Sequence, residues 1–250
     1  MKNLFVLILF SLVVVLPALA QDETSVLRTK AEQGEAAAQY NLGLMYAKGE
    51  GVPKDSVEAV RWFRKAAEQG QADAQFNLGL MYDNGEGVPE DSVEAVRWFR
   101  KGAEQGQAEA QFSLGVIYAK GEGVPKDSVE AVKWFRKAAE QGYAGAQYIL
   151  GGAYDNGEGV PKDSVEAVRW YRKAAEQEIA PAQFSLGLSY ANGNGVPKDL
   201  VQAHMWLKLS GVNGHYKAKF ELKIIEKLMN AEQKAEAMKL ARDRWTKANP

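Results

Sequence analysis

Apolar and polar positions along the chain recur with a period of 36 residues. From Ala38 the sequence reads AQYNLGLMYAKGEGVPKDSVEAVRWFRKAAEQG, and close copies begin at Ala74, Ala110, Ala146 and Ala182. A weaker sixth start falls at Ala218, where Phe220 matches Phe184, and Ala31-Glu32-Gln33-Gly34 upstream copies Ala67 to Gly70. Trp62, Trp98, Trp134, Trp170 and Trp206 keep the interval, as do Pro53, Pro89, Pro125, Pro161 and Pro197. A fixed period of this length marks a repeat architecture in which each unit is one supersecondary motif.

Within a unit the pattern predicts two helices. In the second, at about 100° per residue, Ala59, Val60, Trp62, Phe63, Ala66 and Ala67 share one apolar arc of roughly 160°. Glu58, Arg61, Arg64, Lys65, Glu68 and Gln69 fill the opposite side as a solvated face with intrahelical pairs, and Val57 alone intrudes. Asp55 is placed as N-cap, with Glu58 completing a capping box, and Gly70 stands where a left-handed residue ends the helix. The first helix is predicted from Glu35 to Lys48. Ala38, Leu42, Met45 and Tyr46 share one face, while Ala37, Tyr40, Leu44 and Ala47 make the other side apolar too. A short helix of that kind is covered on most sides or lines a groove. Gly43 and its copies Gly79, Gly115, Gly151 and Gly187 cost up to about 1 kcal/mol of helix propensity each, which points to a partner helix at close approach.

The connector Gly49-Glu50-Gly51-Val52-Pro53-Lys54 has no preceding strand and no third glycine opening a helix, so it is a turn and not a phosphate-binding loop. Stacked neighbours bury what one helix pair leaves open. The expected organisation is a signal peptide over 1–20, a capping half repeat over 21–34, five repeats over 35–214, and a degenerate sixth repeat with a capping helix over 215–250. In the last segment, Lys217 to Leu228 and Ala231 to Trp245 are the two closing helices.

Residues 1–20, MKNLFVLILFSLVVVLPALA, place Lys2 before an uncharged run, a helix-breaking Pro17 and small residues at Ala18-Leu19-Ala20. This is the layout of an export signal cleaved before Gln21. The rival reading, a membrane anchor, needs about 20 apolar residues, and this run is shorter. The expected location is periplasmic or secreted, with no membrane insertion after cleavage.

Composition narrows the chemistry. The 250 residues carry 31 Lys and Arg against 32 Asp and Glu, without the basic excess of a nucleic-acid binder. Zero Cys excludes disulfides, thiolate metal sites and a lipid-modified cysteine. His204 falls on the core-facing slot of Val60, Val96, Val132 and Val168, and His215 lies in a turn. Neither has an acidic neighbour at ligand spacing, so no metal or cofactor is expected. The loop acids Glu50, Glu86, Glu122 and Glu158 read as a solvated ridge.

Leu42-Gly43 with Tyr46, followed by Ala59, Phe63 and Ala66, resembles the tetratricopeptide helix-pair signature, with a period of 36 in place of 34. The Gly-Glu-Gly-Val-Pro-Lys-Asp connector and the Trp-Phe-Arg-Lys-Ala-Ala-Glu-Gln-Gly helix end are similar to the Sel-one-like repeat family over about residues 31 to 228. The resemblance implies an all-α, right-handed α/α superhelical solenoid acting as an exported protein-interaction scaffold, not an enzyme. A β-lactamase-like or cell-wall-fragment hydrolase, as described for some cysteine-rich relatives, is the alternative. No Ser in the mature chain has Lys three positions on, so the acylating Ser-x-x-Lys is not present.

In such solenoids the first helices line the concave face. Carried over, the groove floor is Tyr40, Phe76, Phe112, Tyr148 and Phe184, with Leu44, Leu80, Val116 and Leu188 beside them. These rings either grip an extended peptide or helix of a protein partner or are pinned between adjacent repeats, and both can hold at once. Lys48, Asp83-Asn84, Lys120, Asp155-Asn156 and Asn192 form a variable rim, which is also explained by duplication of a two-repeat block. The fourth unit has Ile149, Gly152 and Ala153 where the first has Asn41, Leu44 and Met45, a change expected to deepen a pocket unless it is ordinary drift. The chain is expected to act as a monomer.

Overall fold

The computed structural model describes residues 24–248, so the expected export signal lies outside the described residues. Those residues form thirteen helices and no strand, as the periodicity implies. Helix α1 covers 24–32. Five pairs follow. Their first helices are α2 (Ala36–Lys48), α4 (Ala72–Asn84), α6 (Ala108–Lys120), α8 (Ala144–Asn156) and α10 (Ala180–Asn192). Their second helices are α3 (Ser56–Glu68), α5 (Ser92–Glu104), α7 (Ser128–Glu140), α9 (Ser164–Glu176) and α11 (Leu200–Val212). Two more, α12 (Ala218–Glu226) and α13 (Ala231–Ala248), follow the last pair. The chain forms two compact units, one reaching Ala110 and including Glu122–Val124, the other made of Gln111–Gly121 and Pro125 onward.

Each second helix starts on an aspartate. Asp55 Oδ1 accepts the backbone N–H groups of Val57 at 3.0 Å and Glu58 at 3.1 Å, and Asp91, Asp127, Asp163 and Asp199 do the same in their repeats. A cap of this kind is worth about 1 kcal/mol. The reciprocal half of the expected capping box is not made. The Asp55 N–H donates to the Tyr46 carbonyl at the end of α2, at 2.9 Å, and Glu58 turns to Arg61 at 3.2 Å. The first helix thus supplies the acceptor that Glu58 was expected to supply.

The second helices keep the solvated face expected of them, with Arg61, Arg64, Glu68 and Gln69 exposed and Arg61 paired with Glu58, and two further contacts are made from it, one to the next pair and one within the helix. Arg64 on α3 donates to the Tyr82 hydroxyl on α4, as Arg28 does to Tyr46 at 2.7 Å, Arg136 to Tyr154 at 2.7 Å and Arg172 to Tyr190 at 2.6 Å. Lys65 Nζ lies over the Trp62 ring at 4.3 Å, a cation–π contact repeated by Lys101, Lys137 and Lys173 on their own tryptophans. Beneath these cations each indole is buried. Trp98 packs with Ala59, Val60 and Phe63 of α3 and with Leu78 and Met81 of α4, so one side chain joins three helices.

The helical glycines answer to close approach. A Cβ on Gly43 would lie 2.7 Å from the Phe63 ring, and Gly79 and Gly115 meet Phe99 and Phe135 at the same distance. Connector glycines do a different job. A Cβ on Gly87 would collide with the Ser56 carbonyl, where the second loop crosses the start of α3.

Between pairs runs a ladder of amides. Gln75, buried in α4, donates from Nε2 to the Ala67 carbonyl of α3 at 3.0 Å and accepts at Oε1 from Gln105 Nε2, beyond the end of α5, at 2.7 Å. Gln39, Gln147 and Gln183 donate to Ala31, Ala139 and Ala175 in the same way. Replacing Gln75 with Leu removes two hydrogen bonds, to Ala67 and from Gln105, and leaves the Ala67 carbonyl with the Gly70 N–H; at about 0.5–1.5 kcal/mol for each bond, the expected cost is about 1–3 kcal/mol. Gln105→Ala, at an exposed position that water can serve, is expected to cost less than about 1 kcal/mol. Urea unfolding of the two variants beside the parent checks the order.

Candidate binding face and cavity

The five rings of the expected groove occupy one register on α2, α4, α6, α8 and α10, and all five are half-buried. Each of the first four leans on an aromatic side chain of its own second helix. Ring centroids are 5.9 Å apart for Tyr40 and Phe63, 5.8 Å for Phe76 and Phe99, 5.7 Å for Phe112 and Phe135, and 6.0 Å for Tyr148 and Tyr171, all tilted. One part of each ring is therefore spent on packing and the rest is open. Burial, and after it the charge of Asp73, raises the Tyr40 hydroxyl pKa above the ordinary tyrosine value.

The row is not uniform. Phe112 also meets Tyr143 at 4.9 Å, and Phe184 is stacked by His215 at 4.3 Å. Burial, and then the neighbouring Lys217, hold the His215 pKa below the usual histidine value, so a neutral ring lies on Phe184 near pH 7. Leu44, Leu80, Val116 and Leu188 are half-buried beside the rings, while Lys48, Asn84, Lys120 and Asn156 are exposed at the helix ends.

In the second unit the surface opens into a cavity of about 630 Å³ between α6, α7 and α8. Its lining brings together Phe112, Val116, Lys120, Tyr148 and Asn156 of the expected groove. Tyr40, Leu44, Lys48, Phe76, Leu80 and Asn84 lie in the first unit, and Phe184 lies beneath His215. The cavity floor is Gly152 and Ala153, where other first helices carry Leu44 and Met45, Leu80 and Met81, or Val116 and Ile117. An added Cβ at Gly152 would find only the Tyr171 hydroxyl, 3.8 Å away. Ile149, 39% exposed where Asn41 and Asn77 stand in earlier repeats, adds an apolar wall. A hollow therefore lies where the fourth unit departs from the other first helices.

Other lining residues were not expected in the groove. Lys126 and Ser128 come from the connector and start of α7, and Glu158 from the loop after α8. Glu158 belongs to the expected acidic ridge, whose members Glu50, Glu86, Glu122 and Glu158 are all exposed. Tyr143 and Tyr171 were legible only as departures: Tyr143 replaces Gln71 and Gln107, and Tyr171 replaces Phe63, Phe99 and Phe135. Burial chiefly, then the charge of Asp155, pushes the Tyr171 hydroxyl far above its ordinary pKa, so it stays protonated.

His204 is buried to 1% exposure, in keeping with its core-facing slot, but the expectation that it lacks an acidic neighbour is corrected. Its Nε2 lies 3.2 Å from Glu226 Oε1 on α12, a residue 22 positions later that linear spacing does not bring near. Among the described residues no three His, Cys, Asp or Glu side chains gather as a metal site, and no helix is long and apolar enough to cross a membrane.

Tandem helix pairs of 36 residues, joined through buried amides and presenting a row of rings, define an α/α solenoid repeat protein. The chain belongs to the Sel1 repeat family, whose repeat matches residues 36–71, 72–107, 108–143, 144–178 and 180–215. Proteins of this family generally serve as protein–protein interaction scaffolds. A Sel1 repeat protein from Oxalobacter formigenes is 40% identical, with a TM-score of 0.77 over 90% of this chain and 94% of that one. A protective antigen of uropathogenic Escherichia coli displaying an SLR fold is also 40% identical, with a TM-score of 0.80 over 89% of this chain and 48% of the antigen. The secretory immunoglobulin A-binding protein EsiB of Escherichia coli is 47% identical over 57 residues, which are 23% of this chain and 11% of EsiB. The chain therefore spans about half of the antigen, and its match to EsiB covers only a small part of that protein.

Adjacent glycines in α8 should respond in opposite senses. Gly151→Ala drives a methyl to 2.6 Å from the Tyr171 ring and is expected to cost about 1–3 kcal/mol despite better helix propensity. Gly152→Leu enters open space and is expected to gain up to about 1 kcal/mol. Thermal and urea unfolding of both variants decides the signs.

Proposed function

We propose that the chain is an exported scaffold that holds an extended segment or helix of another protein along the row of first helices, with the cavity between α6 and α8 as anchor. The observation that carries this reading is the coincidence of half-open rings with a hollow made by Ile149, Gly152 and Ala153. Burying one Leu- or Phe-sized side chain yields about 1.5–3 kcal/mol, whereas micromolar affinity needs about 8 kcal/mol. One anchor is therefore insufficient, and a repeated row of partly exposed rings supplies the remaining contacts. The exposed ends of the first helices, Lys48, Asn84, Lys120 and Asn156, select among partners.

In this reading residues 1–20 are the removed export signal, 21–34 a capping half repeat, 35–214 the binding repeats and 215–250 the closing segment. The protein works as a monomer in the periplasm or outside the cell, without cofactor, catalysis or nucleic acid. The naming of EsiB for secretory immunoglobulin A supports a protein partner in general and does not identify this one.

The test is capture from an envelope extract with cross-linking and mass spectrometry. It compares the chain from Gln21 onward with a Gly152→Leu/Ala153→Met variant that restores the side chains of earlier repeats. Partner recovery is expected to fall by about tenfold or more, the loss of one apolar anchor, with thermal stability retained. Unchanged recovery in this variant and in a Phe76→Ala/Phe112→Ala/Tyr148→Ala variant would overturn the reading.

A further inference from the structure

The last first-type helix exposes what earlier ones cover. On α12 and its flanking turns, Tyr216 is 77% exposed, Phe220 67%, Ile224 44% and Leu228 63%. Four-residue spacing places Phe220 and Ile224 along one side of the helix, with Tyr216 and Leu228 exposed in the turns at its two ends, while Ala218, Leu222 and Ile225 are buried on the other side. Phe220 and Ile224 hold the positions of Phe184 and Leu188, both half-buried in α10.

Charge is distributed in the same direction. Residues 208–248 carry ten Lys and Arg against five Asp and Glu, whereas residues 24–207 carry twenty against twenty-five. Lys217, Lys219, Lys223 and Lys227 interleave with the apolar stripe, and all four are exposed. A protruding row of aromatic and aliphatic side chains flanked by ammonium groups is the pattern of a helix lying in a lipid interface. The apolar groups enter the boundary between headgroups and acyl chains, and lysine stems reach back to the phosphates. Protrusion decides against a peptide ligand as the occupant, because Tyr216, Phe220 and Leu228 each stand more than half clear of the surface and do not wall a groove.

We infer that the α12 edge docks on an anionic lipid bilayer, with Tyr216, Phe220, Ile224 and Leu228 at the headgroup–acyl boundary and Lys217, Lys219, Lys223 and Lys227 on lipid phosphates. The contact is peripheral and reversible. It is independent of the cavity between α6 and α8, so the scaffold reading and this one fail separately.

Vesicle flotation tests it, using the chain from Gln21 onward, which keeps every helix described. The parent is expected to float with phosphatidylglycerol-rich vesicles at low salt, and to bind phosphatidylcholine vesicles about tenfold or more weakly. High salt should release it. Phe220→Ser/Ile224→Ser/Leu228→Ser and Lys219→Gln/Lys223→Gln/Lys227→Gln are each expected to lower partition by about tenfold or more. The altered side chains are exposed, and helical melting by circular dichroism confirms that both variants fold. Equal binding to both vesicle types, binding to neither, or partition unchanged in both variants would overturn the inference. Self-association that the same substitutions abolish, without vesicle binding, would assign the stripe to a second copy of the chain and overturn it as well.

Discussion

A buried glutamine in each first helix is the constraint on which the stacking depends. Apolar faces attract without specifying how far one helix slides along the next. An amide buried at 4% exposure or less is directional, and it is costly if unmet. Gln75 satisfies the end of the preceding pair through Ala67 and the end of its own pair through Gln105, fixing three helices by one side chain. The same fixed spacing brings Arg64 to Tyr82 and seats Trp98 between α3 and α4. Where the ladder runs out, its chemistry changes visibly. Gln183 accepts from Asn213 at 3.1 Å instead of from a glutamine, and its counterpart in the next unit is Lys219.

Termination is built from borrowed parts. In the last pair Leu209 replaces the lysine that covers tryptophan elsewhere, and Arg244 of α13 takes its place over Trp206 at 4.4 Å. His204 reaches Glu226 on α12, and Ser210 donates to the Ala180 carbonyl at 2.7 Å. The final helices thus bring Glu226 and Arg244 onto the last pair from residues outside the repeat sequence. That substitution also changes the surface, since Val212 stands where Glu68, Glu104, Glu140 and Glu176 lie in earlier units.

Much of this was written in the periodic pattern. The amphipathic arc from Ala59 to Ala67 located the second helices, and Asp55 and Gly70 bounded them, because caps and arcs are local. Gly43 announced the approach of Phe63 for the same reason: a residue poor for helices, kept in every copy, requires a close neighbour. What was hidden depends on contacts across pairs. Gln39 and Gln75 resemble ordinary surface amides until the preceding carbonyl is placed beside them. The capping box failed because the Tyr46 carbonyl, nine residues before Asp55, takes the N–H that Glu58 was expected to accept. His204 and Glu226 are neighbours only through the packing of α12 on α11. For the candidate site, departures from the repeat at Ile149, Gly152 and Ala153 marked the hollow, whereas Lys126 and Ser128 match Lys54 and Ser56 of the first copy and join it by position alone.

Gly151 and Gly152 are consecutive residues of one helix, yet they are held to different demands. Gly151 is locked against Tyr171 and tolerates no added atom without movement, whereas Gly152 borders empty space. A packing constraint and an open position therefore sit side by side in a single turn of helix. A lineage can revise what the fourth unit admits, one residue at a time, without the rest of the stack registering the change.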